Sequence, residues 1–440
     1  MHVRFGTAVF AGLLFSLSLG IYGAHRVEEE PRTVGIADLD LAPAQMGETA
    51  LITQAMARLE ERLARFPDDP EASLLKGILN FKAGRFEEAH DELERLTRRA
   101  PRFHLAHLVH GDLLLARTRT LGDLGSAPLL GTAPQGLEGL REEAEARLKA
   151  YLESLPRDRV PRGLLALADD VRTAIVVDKS NHRLYVYEYA GADEPPRLVR
   201  DHYVSTGKLI GNKSLRGDLR TPEGVYFVTG HIPDSRLPDK YGVGAYPVNY
   251  PNELDLRLGK TGDGIWLHGT ERAYYSRPPL DSEGCVVLPN PDLLALGEYL
   301  DPGATPVVIS ERVQWLRREQ WQELRGAVLG AVEAWRADWE SGDVERYLSH
   351  YSPQFWAPGY DAERWAARKR QVALGKTFQQ VGLKDVSAFA YPAAASDGRE
   401  LVVVNLHQDY RSNNYNSSMA KRLYLAREDG RWKVLYEGGR

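Results

Sequence analysis

The sequence predicts a multidomain protein in which an all-α helical repeat is followed by a mainly-β sandwich and then by an α+β cone-shaped domain. Three observations predict this. The chain has 440 residues, too many for one ordinary domain. From about Glu48 to Leu155 apolar residues recur at helical spacing, and from Thr173 the pattern changes to short β-branched and aromatic runs broken by Gly, Pro and Asn. Beyond Val313 a tryptophan-rich helical stretch leads into further strand-like runs. The resulting segments are 1–24 (a leader), 45–160, 171–312 and 320–440. The formal net charge is only -5, and no long basic run is present, which argues against nucleic-acid binding.

In the leader, His2 and Arg4 precede Phe5 to Tyr22, eighteen residues without charge, and charge resumes near His25. These are the n-region and h-region of an export signal, with Ser18 and Gly20 as small residues for cleavage. The apolar run approaches bilayer-spanning length, so an uncleaved anchor, with N-terminal membrane association, is the alternative. Either reading puts the bulk of the protein outside the cytoplasm, in the periplasm.

Within 45–160 a period of 34 pairs Pro67 with Pro101, Ala72 with Ala106, Leu74 with Leu108, Gly77 with Gly111 and Leu79 with Leu113. Gly84-Arg85-Phe86-Glu87-Glu88-Ala89 reads as a turn entering a second helix. Period and pattern resemble tetratricopeptide repeats, whose stacked helices share a core and present a concave surface. The resemblance implies an envelope protein partner for that surface, with a plain helical spacer as the alternative. His104, His107 and His110 recur every third residue on one helix, a spacing that converges poorly on a metal, so they read as part of a packed repeat helix. Ser126 to Gly139, rich in Gly, Pro and small residues, reads as a loop.

In 171–312, Thr173 to Asp178 and Arg183 to Glu188 flank Lys179-Ser180-Asn181-His182 as a hairpin. Further strands are expected at Leu198 to Ser205, Gly224 to Thr229, Gly264 to His268 and Pro306 to Ser310, a pattern that suits a sandwich or barrel. After a helix over Val313 to Trp339, strands are expected at Leu401 to Leu406, Lys421 to Arg427 and Trp432 to Leu435. Ala334 to Asp343, then Tyr351-Ser352-Pro353 and the closing strand, resemble the cone-shaped NTF2-like or SnoaL-like domains. The resemblance covers about Gln320 to Arg440 and implies a docking or dimerising module, with a ligand pocket as the alternative.

The chain has one cysteine, Cys285, so it cannot form an intrachain disulfide. Cys285 follows Gly284 and lies seventeen residues after His268. A thiol nucleophile and an imidazole base are the minimal apparatus of covalent acyl transfer; a buried, inert cysteine is the alternative. Around the pair stand, in order, Tyr246-Pro247-Val248-Asn249-Tyr250-Pro251-Asn252, Gly259-Lys260-Thr261-Gly262, Ile265-Trp266-Leu267-His268-Gly269-Thr270 and Ser282-Glu283-Gly284-Cys285. This ordered set resembles the catalytic domain of L,D-transpeptidases, the cysteine enzymes that remodel bacterial peptidoglycan, and covers roughly Thr173 to Glu311. Two residues depart from the family pattern: Glu283 stands where the family commonly has histidine, and Val287 where it commonly has arginine.

The resemblance implies peptidoglycan tetrapeptide stems as substrate, attack by Cys285 on the carbonyl of the third stem residue, loss of D-alanine and a thioester. A second stem, a protein or water then resolves the thioester; water would make the enzyme an L,D-carboxypeptidase or amidase. A scaffold that binds peptidoglycan without catalysis is the reading from a different class. His268 is the expected base and acid, and the Gly269 carbonyl the group that fixes its tautomer. Gly284 and Cys285 N–H groups are the expected oxyanion donors, and Ser282 is expected to orient the cysteine loop. Arg277 is the candidate to replace the arginine missing at 287 and grip a substrate carboxylate, with an ordinary surface arginine as its alternative. Tyr246 and Tyr250 are candidates for the donor groove, and Trp266 reads as core. Gly259-Lys260-Thr261-Gly262 lacks the spacing and helix of a phosphate loop. No metal, nucleotide or other cofactor is implied.

Overall fold

The computed structural model describes residues 48–118, 124, 136–152, 159–392 and 398–440. The expected leader, and most of the expected loop at 126–139, lie outside the described residues. Among the described residues no helix is long and apolar enough to cross a membrane.

The amino-terminal region is helical: α1 (Glu48–Arg65), α2 (Pro70–Lys82), α3 (Phe86–Arg99), α4 (His104–Ala116) and α5 (Leu137–Leu152). Asp69 starts α2 by accepting from the Ala72 N–H at 2.9 Å, with Pro70 at the first helical position, where its missing N–H is harmless. The repeat positions Ala72, Leu74, Leu79, Ala106 and Leu113 are buried in one core. At Gly77 a Cβ would meet Leu93 at 2.7 Å, so only glycine lets α2 and α3 pack this closely.

The central region holds β1 (Arg159–Pro161), β2 (Thr173–Asp178), β3 (Arg183–Glu188), β4 (Arg197–Tyr203), β5 (Thr206–Gly207), β6 (Gly224–Phe227), β7 (Ile232–Pro233), β8 (Gly244–Pro247), α6 (Glu253–Arg257), β9 (Trp266–His268), β10 (Leu280–Ser282), β11 (Val286–Val287), α7 (Asn290–Gly297), β12 (Pro306–Ser310) and β13 (Trp315–Arg317). A five-stranded sheet runs β4-β3-β2-β12-β6 and a four-stranded sheet runs β11-β9-β8-β7. Strand alternation sends Ile175, Val177, Leu184 and Val186 into a core with Leu267 and Val286 of the second sheet. The intervening residues Ala174, Val176, Tyr185 and Tyr187 point the other way, against the carboxy-terminal domain.

That last domain comprises α8 (Arg318–Ser341), α9 (Val344–Leu348), β14 (Tyr351–Ala357), β15 (Tyr360–Asp361), α10 (Ala362–Ala373), β16 (Gln379–Ala390), β17 (Leu401–Ser412), β18 (Asn416–Glu428) and β19 (Arg431–Gly439). Its sheet runs β15-β14-β19-β18-β17-β16. The helix expected from Val313 begins only at Arg318, because Trp315–Arg317 pairs antiparallel with Arg159–Pro161, a partner too distant in sequence for a local pattern to reveal.

Candidate active site

Strands β9 and β11 are parallel neighbours, with Val286 opposite Leu267 and Val287 opposite His268. Leu267 and Val286 face the core. Alternation therefore puts Trp266 and His268, together with Cys285 and Val287, on the opposite face. The ladder continues through the Leu288 N–H, which donates to the His268 carbonyl at 2.9 Å. Trp266, expected in the core, is only partly buried and shares the site face, with its ring centroid 4.9 Å from that of Tyr241. Cys285 is itself only partly buried. Its thiol donates to the Gly264 carbonyl at 3.4 Å and, among the described residues, makes no hydrogen bond to the imidazole.

The electrostatics of the pair follow from burial. His268 is 4 % exposed, and desolvation of the imidazolium, aided by the positive charges of Arg277 and Lys240, pulls its pKa down to about 4. Its Nδ1 lies 2.6 Å from the Gly269 carbonyl, which can only accept. The proton therefore sits on Nδ1, and Nε2 is left as the basic nitrogen. Burial pushes the Cys285 thiol up to about 11, against the opposing pull of the Trp266 N–H and the Arg277 charge. At neutral pH the pair rests as thiol and neutral imidazole.

Two backbone turns hold these groups. Asn290 Oδ1 accepts from the N–H groups of Thr270 (3.1 Å) and Val243 (3.3 Å), while its Nδ2 donates to the Thr270 carbonyl (2.8 Å). A Cβ on Gly269 would fall 2.1 Å from that Oδ1, so the turn that presents the Gly269 carbonyl to His268 requires glycine. On the other side, Ser282 Oγ donates to the Cys285 carbonyl at 2.6 Å and accepts from the Gly284 N–H at 3.1 Å. This corrects the expectation that Gly284 supplies an oxyanion donor: its N–H is consumed within the loop by Ser282 Oγ, which leaves the Cys285 N–H as the candidate. What Gly284 does supply is a backbone at φ +129°, where a Cβ would lie 2.8 Å from the Arg220 carbonyl.

Residues 172–309 match the L,D-transpeptidase catalytic domain model, residues 52–112 a tetratricopeptide repeat, and residues 327–438 the Cds6 C-terminal NTF2-like domain. The central domain is an L,D-transpeptidase domain. No match is found among curated proteins. Among solved structures, Bd1075 of Bdellovibrio bacteriovorus is 28 % identical at a TM-score of 0.56, and the match covers 64 % of this chain and 97 % of that one. The helical cell shape determining protein Pgp2 of Campylobacter jejuni is 26 % identical at a TM-score of 0.54, covering 63 % of this chain and 95 % of its own.

The remaining candidates of the L,D-transpeptidase domain separate. Tyr246 stands opposite Leu267 and so points away from His268; it stacks on His231 at 4.7 Å. Tyr250 is buried in the core and donates to the Thr261 carbonyl at 3.2 Å. The strand parity that puts His268 on the site face turns Tyr246 toward the core, and the core encloses Tyr250. Arg277 reaches the site: its Nε donates to Thr270 Oγ1 at 3.0 Å, and its Nη2 to the Lys240 carbonyl at 2.9 Å and to Glu271 at 2.8 Å. Val287 is buried beside His268 on the parallel strand, and Arg277 stands on the loop between Glu271 and Pro279. No motif points to Tyr241, whose ring stands edge-on to the imidazole with centroids 4.9 Å apart. Only a proline-flanked asparagine hints at Asn290. Of the three histidines, His104 sits edge-on to Tyr274 and His110 bonds His90 at 3.0 Å.

The NTF2-like domain has a separate cavity of about 240 Å³ lined by Trp339, Tyr347, Trp365, Lys369, Lys421 and Glu437. Lys369 Nζ lies 4.3 Å from the Trp365 ring centroid, and burial lowers its pKa to about 8.

Proposed function

We propose that the protein is an envelope enzyme that acts on peptidoglycan tetrapeptide stems through a Cys285 thioester, with His268 as base and acid. The observation that supports this reading is the strand register that puts Cys285 and His268 on one face, with Nε2 free to accept a proton. The thiol proton passes to Nε2 as sulfur bonds to the carbonyl carbon of the third stem residue. The Cys285 N–H meets the developing oxyanion. Collapse breaks the C–N bond, His268 returns the proton to the leaving D-alanine amine, and a thioester remains. His268 then deprotonates the incoming amine or water, which attacks the thioester and releases the thiol. The resemblance of residues 1–24 to an export signal favours work in the periplasm, and the tetratricopeptide-like helices favour an envelope protein as partner.

Intact-mass measurement after incubation with a tetrapeptide stem or a carbapenem tests the proposal. A covalent adduct that is lost in Cys285→Ala supports it, and no adduct from either reagent refutes it. Analysis of the products released from digested cell wall then separates transfer to an amine from transfer to water.

A further inference from the structure

The loop Glu271–Pro279 leaves the L,D-transpeptidase domain and docks into the helical one. Tyr275 is buried within the helical core and stacks on Phe103 with centroids 4.2 Å apart. Its N–H donates to the Arg102 carbonyl at 3.1 Å, and the Arg102 guanidinium donates back to the Arg272 carbonyl. Ser276 Oγ donates to the buried Glu143 of α5 at 2.6 Å. Pro278 closes over Gly139, where a Cβ would stand 2.6 Å from the proline ring. Glu143 is in turn fixed by Arg147, whose guanidinium also bonds Glu71 at 2.6 Å. The next residue after these anchors is Arg277, bonded to Thr270, two positions beyond His268.

We propose that the helical domain is part of the active site: by clamping this loop it holds Arg277 at Thr270, beside the turn that follows His268, with Tyr275, Ser276, Phe103 and Glu143 as positioning residues. The inference rests on the reading of Cys285 as nucleophile. The physical reason is that the loop's ties to its own domain, Arg272 to Asp234 and Asp239 and Arg277 to Thr270, Glu271 and the Lys240 carbonyl, are exposed or half-buried polar contacts, and ordering each loop residue costs about 1–2 kcal/mol of conformational entropy. The strand position at 287, which would hold a cation rigidly, carries valine. An arginine on a free loop would spend little time at Thr270, whereas an aromatic stack and a buried hydrogen bond on either side of it restrict its reach.

The test uses the full chain and two readouts: alkylation of Cys285 by neutral iodoacetamide at about pH 9, and adduct formation with the tetrapeptide stem. Arg277→Met removes the cation that favours the thiolate and slows alkylation by roughly three- to tenfold. Tyr275→Ala, its fold checked by circular dichroism, is expected to slow alkylation to the same degree and to raise KM for the stem more than it lowers kcat. Tyr275→Phe keeps the stacked ring and restores both. In the Arg277→Met background Tyr275→Ala is expected to add nothing, because it acts through the absent guanidinium. Additive effects, or a folded Tyr275→Ala with unchanged alkylation, overturn the proposal. If Tyr275→Ala does not fold, the milder Arg102→Met and Ser276→Ala carry the same expectations and the same refutations. Alkylation needs no substrate, so an enzyme reading that fails for lack of any stem adduct is distinguishable from a failure of this one.

Discussion

Alkylation of Cys285 is expected to rise about tenfold per pH unit between about pH 7 and 10, with no plateau at lower pH. The perturbation is pH, with His268→Ala as its companion. With the thiol pushed up to about 11 and the imidazole pulled down to about 4, the pair rests as thiol and neutral imidazole across the neutral range. At about pH 7.5 the thiolate fraction is then on the order of 3 in 10,000, against about a tenth for a free cysteine, and alkylation is roughly 300-fold slower than for a free thiol. Because imidazole supplies no thiolate at rest, His268→Ala is expected to change alkylation by less than about threefold. The same variant should lose about 100- to 10,000-fold in stem adduct formation, where the base acts in the transition state. The assay is stopped-time mass spectrometry of the intact protein. A rate plateau between about pH 5 and 8 that vanishes in His268→Ala would mean a preformed ion pair, and the electrostatic reasoning would be wrong.

Other outcomes follow from the same contacts. Asn290→Ala removes two hydrogen bonds to Thr270, in the turn after His268, and one to the Val243 N–H; adduct formation is expected to fall about 100-fold, as for a misplacement of about 1 Å, with the circular dichroism spectrum kept. Gly284→Ala forces a Cβ to 2.8 Å from the Arg220 carbonyl at a φ disfavoured for alanine; a loss of about 1–3 kcal/mol in urea unfolding and no adduct are expected. Glu71 is 4 % exposed, and although burial works to raise its pKa, Arg183, Arg147 and Arg62 outweigh that and hold the carboxyl well below the usual range. A depressed carboxylate pKa stabilises the fold above the unfolded-state value of about 4.3, and that stabilisation is lost as pH falls below it. Glu71→Gln should thus lower stability to urea by about 3–5 kcal/mol at neutral pH and flatten the acid limb.

How much was legible in the sequence depended on the range of the interaction. Helix and strand periods are local, so the hairpin Thr173–Asp178 with Arg183–Glu188 was read to the residue. The 34-residue repeat positions Ala72, Leu74 and Leu113 lie in the helical core, and Leu108 packs against it. The site's parity was not legible. Whether Tyr246 or Trp266 shares a face with His268 depends on the pairing of β8 with β9, which a motif string does not contain. The Gly284 N–H was read as an oxyanion donor because its competitor, Ser282 Oγ, acts through a loop geometry rather than a spacing. Asn290 was missed for a related reason, since its three bonds reach back across twenty residues and more to a turn it does not adjoin in sequence.

A neutral resting pair also bears on how a lone thiol survives in an oxidising compartment, where we place this protein. Oxidation, like alkylation, proceeds through the thiolate. The burial that raises the Cys285 pKa therefore protects the sulfur, and the same burial leaves His268 a weak base. Protection and activation pull on one quantity in opposite directions. The conflict is relieved only if charge separation is stabilised after substrate has entered, when donors fixed in advance act in a dry site. The Cys285 N–H and Arg277 are fixed in this way, one by the Ser282-tied loop and the other by the helical dock. A cation placed at 287 on the strand would lower the thiol pKa permanently. A cation delivered from a loop, already engaged by Glu271 and the Lys240 carbonyl, exerts a weaker pull on the resting thiol. Valine at 287 and arginine at 277 are on this argument one adaptation, so Val287→Arg is expected to speed both alkylation and peroxide inactivation of Cys285. Faster alkylation without faster inactivation in that variant would separate the two and defeat the argument.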